Sequence, residues 1–155
     1  MSDLRELYQE VILDHSRQPR NFRRPDHANR EAKGDNPLCG DKVAVFLTIE
    51  DGKVVDVGFQ GRGCAISMAS ASLMTEIVKG KSEAEARALF ESFHDEMTGK
   101  SSCHGAAAGE LDKLTVLSGV REYPMRVKCA TLSWHTLMAA LNKAQTVSTE
   151  SDDRL

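Results

Sequence analysis

The chain predicts an α+β fold, a small three-stranded antiparallel sheet with helices packed on one face. Two patterns carry the α+β expectation and supply two of the three strands. Val43, Val45, Leu47 and Ile49 alternate with other residues at period two, as do Val55, Val57 and Phe59, with Asp51-Gly52 between the runs, which is the signal of a β-hairpin. On both sides of this stretch the apolar spacing changes to three and four, which gathers residues on one face of a helix. At 155 residues with 41 % hydrophobic content the chain is long enough for one packed core and short for two. Residues 1–145 are accordingly read as a single domain and 146–155 as a polar, flexible tail.

Taken in order, Leu4, Leu7, Tyr8, Val11 and Ile12 share one face of a first helix, with Ser2 or Asp3 as N-cap and Pro19 beyond its end. Arg17 to Lys33 is basic, contains Pro19 and Pro25 and has no period, so it reads as a loop or extended arm. Its arginines fit either a solvated linker or a docking site for an acidic partner. The hairpin follows, and a third strand is expected near Arg62 to Cys64. Ala65 to Lys79 is rich in Ala and Ser and stops at Gly80, the pattern of a closely packed helix. Ser82 and Glu85 are spaced as a capping box for another helix, whose apolar face is Ala86, Leu89, Phe90 and Phe93. Glu96 to Ala108 reads as a Gly/Ser loop, Leu111, Leu114 and Leu117 as a short helix, and Met125 to Asn142 as the last helix.

The charge balance narrows the function classes. A net charge of −3 argues against a protein devoted to nucleic acid, and 5 % aromatic content leaves few stacking platforms for single strands. Charges run through the first ten residues and no apolar stretch is long enough to span a bilayer. The chain is therefore placed in the cytoplasm with no membrane and no nucleic-acid partner expected. Thiols stay reduced there, so cysteines read as metal ligands or reactive groups before disulfides.

Asn36-Pro37-Leu38-Cys39-Gly40-Asp41 puts a thiol and a carboxylate two positions apart on a Pro/Gly turn. Cys64 sits on a second turn, Gly61-Arg62-Gly63-Cys64, and Cys129 follows Arg126-Val127-Lys128 near the start of the last helix. An antiparallel hairpin brings its two ends together, so Cys39 and Asp41 fall beside Cys64. Three cysteines and one aspartate match the ligand count of tetrahedral zinc. Cys64 would also lie at the positive end of a helix dipole, which favours its thiolate. Cys103-His104 lacks a third group to orient the imidazole and reads as an incidental thiol. His15, His27, His94 and His135 read as surface or packing residues.

These three cysteine segments, the last taken as Tyr123-Pro124-Met125-Arg126-Val127-Lys128-Cys129-Ala130-Thr131-Leu132, resemble in the same order the motifs of the IscU-like (NifU N-terminal-like) iron–sulfur cluster assembly family. Within it the chain is similar to the SufU branch, because Lys128 stands where scaffold-type relatives have histidine and because the segment between Cys64 and Cys129 is longer. The resemblance implies that Cys39, Asp41, Cys64 and Cys129 bind zinc, and that the activity is zinc-dependent sulfur transfer. A PLP-dependent cysteine desulfurase of the SufS type would hand persulfide sulfur to Cys39 while a partner histidine takes over a zinc position. Downstream iron–sulfur assembly proteins would receive the sulfur. Arg126, one helical turn before Cys129, resembles the branch's functional arginine. Such a protein is a sulfur carrier more than a stand-alone enzyme. Two other readings use the same residues: a scaffold on which iron or a [2Fe–2S] cluster is held by the three cysteines and Asp41, and a zinc-stabilised adaptor without sulfur chemistry.

Overall fold

The hairpin forms where the alternation places it. In the computed structural model, which describes residues 2–37, 40–98, 123–142 and 146–148, its strands are Asp41–Glu50 (β2) and Lys53–Arg62 (β3). Asp51 and Gly52 both take positive φ, 53° and 76°, the primed turn whose twist matches that of the flanking strands. Val45 pairs with Phe59 and Leu47 with Val57, so the buried alternates of both strands lie on one face of the sheet.

The third strand is not at Arg62 to Cys64, where it was expected. Arg62 ends β3, and Gly63 and Cys64 lead into the next helix. The strand that completes the antiparallel sheet is Arg30–Asn36 (β1), which pairs with β2 from Arg30↔Leu47 to Asn36↔Asp41. Residues 30–33 were expected in a loop because β1 has no branched or aromatic residue. Its buried positions are Ala32, Gly34 and Asn36, small enough for the last helix to pack closely against the strand. A fourth strand, Thr146–Ser148 (β4), lies parallel to β1, giving the order β3-β2-β1-β4. Three residues expected in a flexible tail thus belong to the sheet, held by backbone pairing that needs no apolar side chain. Residues 149–155 lie outside the described residues.

The helices are Ser2–Arg17 (α1), Ala65–Val78 (α2), Glu83–Thr98 (α3) and Pro124–Leu141 (α4). The small residues of α2 serve its packing: Ala69, Ser70, Ala71 and Ser72 are buried, and the Ser70 hydroxyl donates to the carbonyl of Ala130 in α4. The capping box closes reciprocally, with Ser82 N–H on Glu85 Oε1 at 2.9 Å and Glu85 N–H on Ser82 Oγ at 3.0 Å. Helix α3 runs through Glu96 to Thr98, which were expected in a loop, because Met97 extends the four-residue stripe of Leu89 and Phe93 and is buried with them. Phe93 meets Trp134 of α4 with ring centroids 5.3 Å apart. The side chains of Leu4, Leu7 and Tyr8, the Cys103-His104 pair and the helix expected around Leu111 to Leu117 lie outside the described residues.

Residues 18–29 form a structured arm. Ser72 Oγ accepts the Arg20 N–H at 2.8 Å and lies 2.7 Å from Nδ1 of buried His15, while Asn21 donates to Thr75. The chain then rounds the edge of β3, where Phe59 N–H donates to Asn21 O. It crosses the second face of the sheet so closely that a Cβ on Gly58 would sit 2.2 Å from the Arg23 carbonyl oxygen. Arg20, Arg23 and Arg24 pair with Asp14, Asp56 and Glu31 of the same chain. These arginines hold the arm down.

Candidate metal centre

Three of the four ligands expected from the sequence come together. Asp41 opens β2, Cys64 caps α2, and Cys129 lies in the second turn of α4. One oxygen and two sulfur atoms of these residues all lie within 4.8 Å of one another. Strand pairing explains this: Asn36 faces Asp41 across β1 and β2, Lys42 faces Arg62 across β2 and β3, and Cys64 comes two residues after β3 ends. Helix α4 packs over that end of the sheet and supplies Cys129. Cys39 lies outside the described residues, between Pro37 and Gly40. The Gly40 N–H donates to Asn36 O at 2.9 Å, which closes the turn, and Gly40 has φ +74°. Arg126 is exposed in the first turn of α4, one turn ahead of Cys129.

Two residues that sequence reasoning did not single out shape the cluster. Asn36 is buried and its Nδ2 reaches Cys129 Sγ at 3.7 Å, a contact that fixes the direction in which the sulfur can present itself to a metal. Gly63 lies against the Asp41 side chain, where an added Cβ would be 2.6 Å from Oδ1 and 3.0 Å from Cγ. Both belong to the cysteine motifs, so position was the available signal, although residue type alone suggested only a turn.

Hydrogen bonds set the electrostatics. Asp41 is fully buried, and its Oδ1 accepts the Cys64 N–H at 2.9 Å while Oδ2 lies 3.9 Å from Cys64 Sγ. The Cys64 sulfur accepts the Ser67 N–H at 3.4 Å, as an N-cap does. The Cys64 thiol is drawn down from 9.0 to about 6, first by its hydrogen bond with Cys129 and also by the Ser67 and Ile66 N–H groups, against burial and the Asp41 charge. In metal-free protein, iodoacetamide labelling of Cys64, followed by peptide mass spectrometry, is expected to reach half its maximal rate near pH 6. Cys129→Ala should move that midpoint upward, and an unmoved midpoint would contradict the assigned cause. Because the folded value is depressed, the thiolate's contribution to stability is complete above 9.0 and is lost as pH falls to about 6.

The donor set fits zinc. Tetrahedral zinc with bonds of about 2.0–2.3 Å sets neighbouring ligand atoms roughly 3.3–3.8 Å apart. A cluster already within 4.8 Å needs only a small contraction. Thiolates also serve iron in sulfur clusters, so the donor chemistry accommodates either metal.

A helix-backed sheet with two thiols and a buried carboxylate gathered at its end defines a class, the small α+β proteins with a cysteine and carboxylate group able to hold a metal. Known proteins specify it further. The NifU-like N-terminal domain matches residues 7–146, and the chain belongs to that family. It is 38 % identical to the zinc-dependent sulfurtransferase SufU of Bacillus subtilis, covering 93 % of this chain and 95 % of that protein. It is 37 % identical to the iron–sulfur cluster assembly scaffold protein IscU of Streptococcus pyogenes, covering 93 % and 88 %. Among solved structures, one described as an iron–sulfur cluster assembly scaffold for the SUF system of Fervidobacterium islandicum superposes with TM-score 0.77 at 36 % identity, covering 85 % of this chain and 94 % of that one. An N-terminal NifU-like domain from Brucella abortus, at 23 % identity and TM-score 0.78, shares the fold. Among the described residues no helix is long and apolar enough to cross a membrane.

Proposed function

We propose that this protein is a cytoplasmic, zinc-dependent sulfur carrier of iron–sulfur cluster assembly. It takes persulfide sulfur from a SufS-type cysteine desulfurase onto Cys39 and passes it to downstream assembly proteins. The observation that carries the reading is the convergence of Asp41, Cys64 and Cys129 at the base of the turn that bears Cys39. Zinc at these four residues, when bound, would keep its thiolates deprotonated. The Cys39 thiolate attacks the outer sulfur of the desulfurase persulfide. One sulfur–sulfur bond forms as another breaks, and the desulfurase cysteine leaves as thiolate, so no external oxidant or reductant is required. Gly40, with positive φ and nothing within 4 Å of a Cβ position, gives the turn backbone freedom beside the acceptor. Arg126, one helical turn before Cys129, would offset the excess negative charge of three thiolates and a carboxylate.

The test is sulfide release by the desulfurase with and without this protein, in its zinc-loaded form with metal content measured. A large rise that disappears on zinc removal supports the proposal. A second reading, a scaffold carrying a [2Fe–2S] cluster as cargo, is favoured by the IscU names among relatives of equal similarity. No rise in sulfide release, together with a stable chromophore after anaerobic reconstitution, would favour the scaffold.

A further inference from the structure

The second face of the sheet is only partly covered. Across β1, β2 and β3 its residues form three rows: Glu31–Phe46–Gly58, Lys33–Ala44–Gln60 and Asp35–Lys42–Arg62. The arm covers the first row, with the Arg24 guanidinium 4.9 Å over the Phe46 ring and paired to Glu31, and with Arg23 and Pro25 against Gly58. The other two rows line an open groove of about 600 Å³. Lys33, Lys42 and Arg62 set three positive charges there against the single charge of Asp35, and among the described residues none of the three forms an ion pair. The groove adjoins the metal centre, because Lys42 follows Asp41 and Arg62 precedes Gly63-Cys64.

The edge strand brings a complementary segment to this groove. β4 runs parallel to β1, from Lys33↔Thr146 to Asp35↔Ser148, and therefore leaves the sheet at the third row. The next residues are Thr149, Glu150, Ser151, Asp152, Asp153, Arg154 and Leu155. Glu150 and Asp152 are spaced two apart, which places both on one face of an extended chain. From β4 to β3 is three strand spacings, about 14 Å, whereas seven extended residues reach about 23 Å.

We infer that segment 149–155 docks across this groove as an extended chain, its Glu150 and Asp152 carboxylates pairing among Lys33, Lys42 and Arg62, with Asp153 beside them. Each exposed ion pair is individually weak. The tether compensates, because β4 holds the segment beside the groove at an effective concentration of about millimolar order. This inference rests on groove, charge and register, and is independent of the sulfur-transfer reading.

The test is zero-length carbodiimide crosslinking of the full chain, mixed in equal parts with its ¹⁵N-labelled form and read by peptide mass spectrometry. At low ionic strength, amide links from Lys33 or Lys42 to Glu150, Asp152 or Asp153 within one isotope form are expected. They should fall several-fold at about 1 M salt, where the screening length is about 3 Å, and vanish in the Glu150→Gln/Asp152→Asn/Asp153→Asn variant. Lys79 and Asp56, 3.7 Å apart, provide the internal control for coupling. Links that join the two isotope forms would assign the groove to a second copy and overturn the inference. Coupling of Lys79 to Asp56 without any link from Lys33 or Lys42 to the segment would overturn it as well.

Discussion

Cys39→Ala is expected to return desulfurase turnover to the level of the desulfurase alone, while the protein stays folded and retains zinc with reduced affinity. The two halves of this outcome have separate causes. Sulfur transfer needs a thiolate that attacks and then carries the sulfur, and a methyl group does neither. The residues flanking Cys39 are joined by a backbone hydrogen bond from Gly40 to Asn36, which the substitution leaves in place. Asp41, Cys64 and Cys129, whose ligand atoms lie within 4.8 Å of one another, still offer zinc three donors in the variant. Sulfide release on the same preparation checks the first half, and zinc content and circular dichroism check the second. Full stimulation by a zinc-loaded Cys39→Ala variant would remove Cys39 as the acceptor. A variant that loses zinc and melts earlier but still stimulates fully would point to the adaptor reading instead.

How far the fold could be read from the chain depended on how each element is stabilised. The β2–β3 hairpin was legible because side-chain alternation and an Asp-Gly turn both specify it. Strand β1 was hidden because its core positions are Ala32, Gly34 and Asn36, whose smallness serves the packing of α4 and whose amide serves Cys129. The end of α3 was hidden for a simpler reason: Met97 continues the Leu89–Phe93 stripe just where Gly/Ser composition takes over. In the candidate metal centre, residue types and motif order pointed to Cys39, Asp41, Cys64 and Cys129, of which the structure brings the last three together. Their mutual distance could only come from the strand register and the docking of α4. The arm shows the reverse case, since its prolines and charges read as a linker while the contacts that fix it, such as Arg20 with Ser72 and Asn21 with Thr75, are long-range.

Gly63→Ala should weaken zinc binding about 10–100-fold, the usual range for losing a group that orients a ligand, without unfolding the protein. The added methyl would lie 2.6 Å from Asp41 Oδ1, 3.0 Å from Cγ and 3.2 Å from Cβ. A short, fully buried aspartate cannot swing clear as a long surface side chain would. Its carboxylate must move, which breaks the 2.9 Å hydrogen bond from the Cys64 N–H at a cost of about 1 kcal/mol and shifts the oxygen away from both sulfurs. Gly40→Ala is the matched control. Nothing lies within 4 Å of its Cβ position, but φ is +74°, so it strains the backbone by about 1–2 kcal/mol and leaves the Asp41 carboxylate in place. Competition with a chromogenic chelator measures the affinities, and thermal melting of the metal-free proteins measures the folds. If Asp41 is a ligand, Gly63→Ala loses more affinity than Gly40→Ala for an equal or smaller loss of stability. Equal affinities in the two variants would mean that the metal is held by the thiolates without the carboxylate.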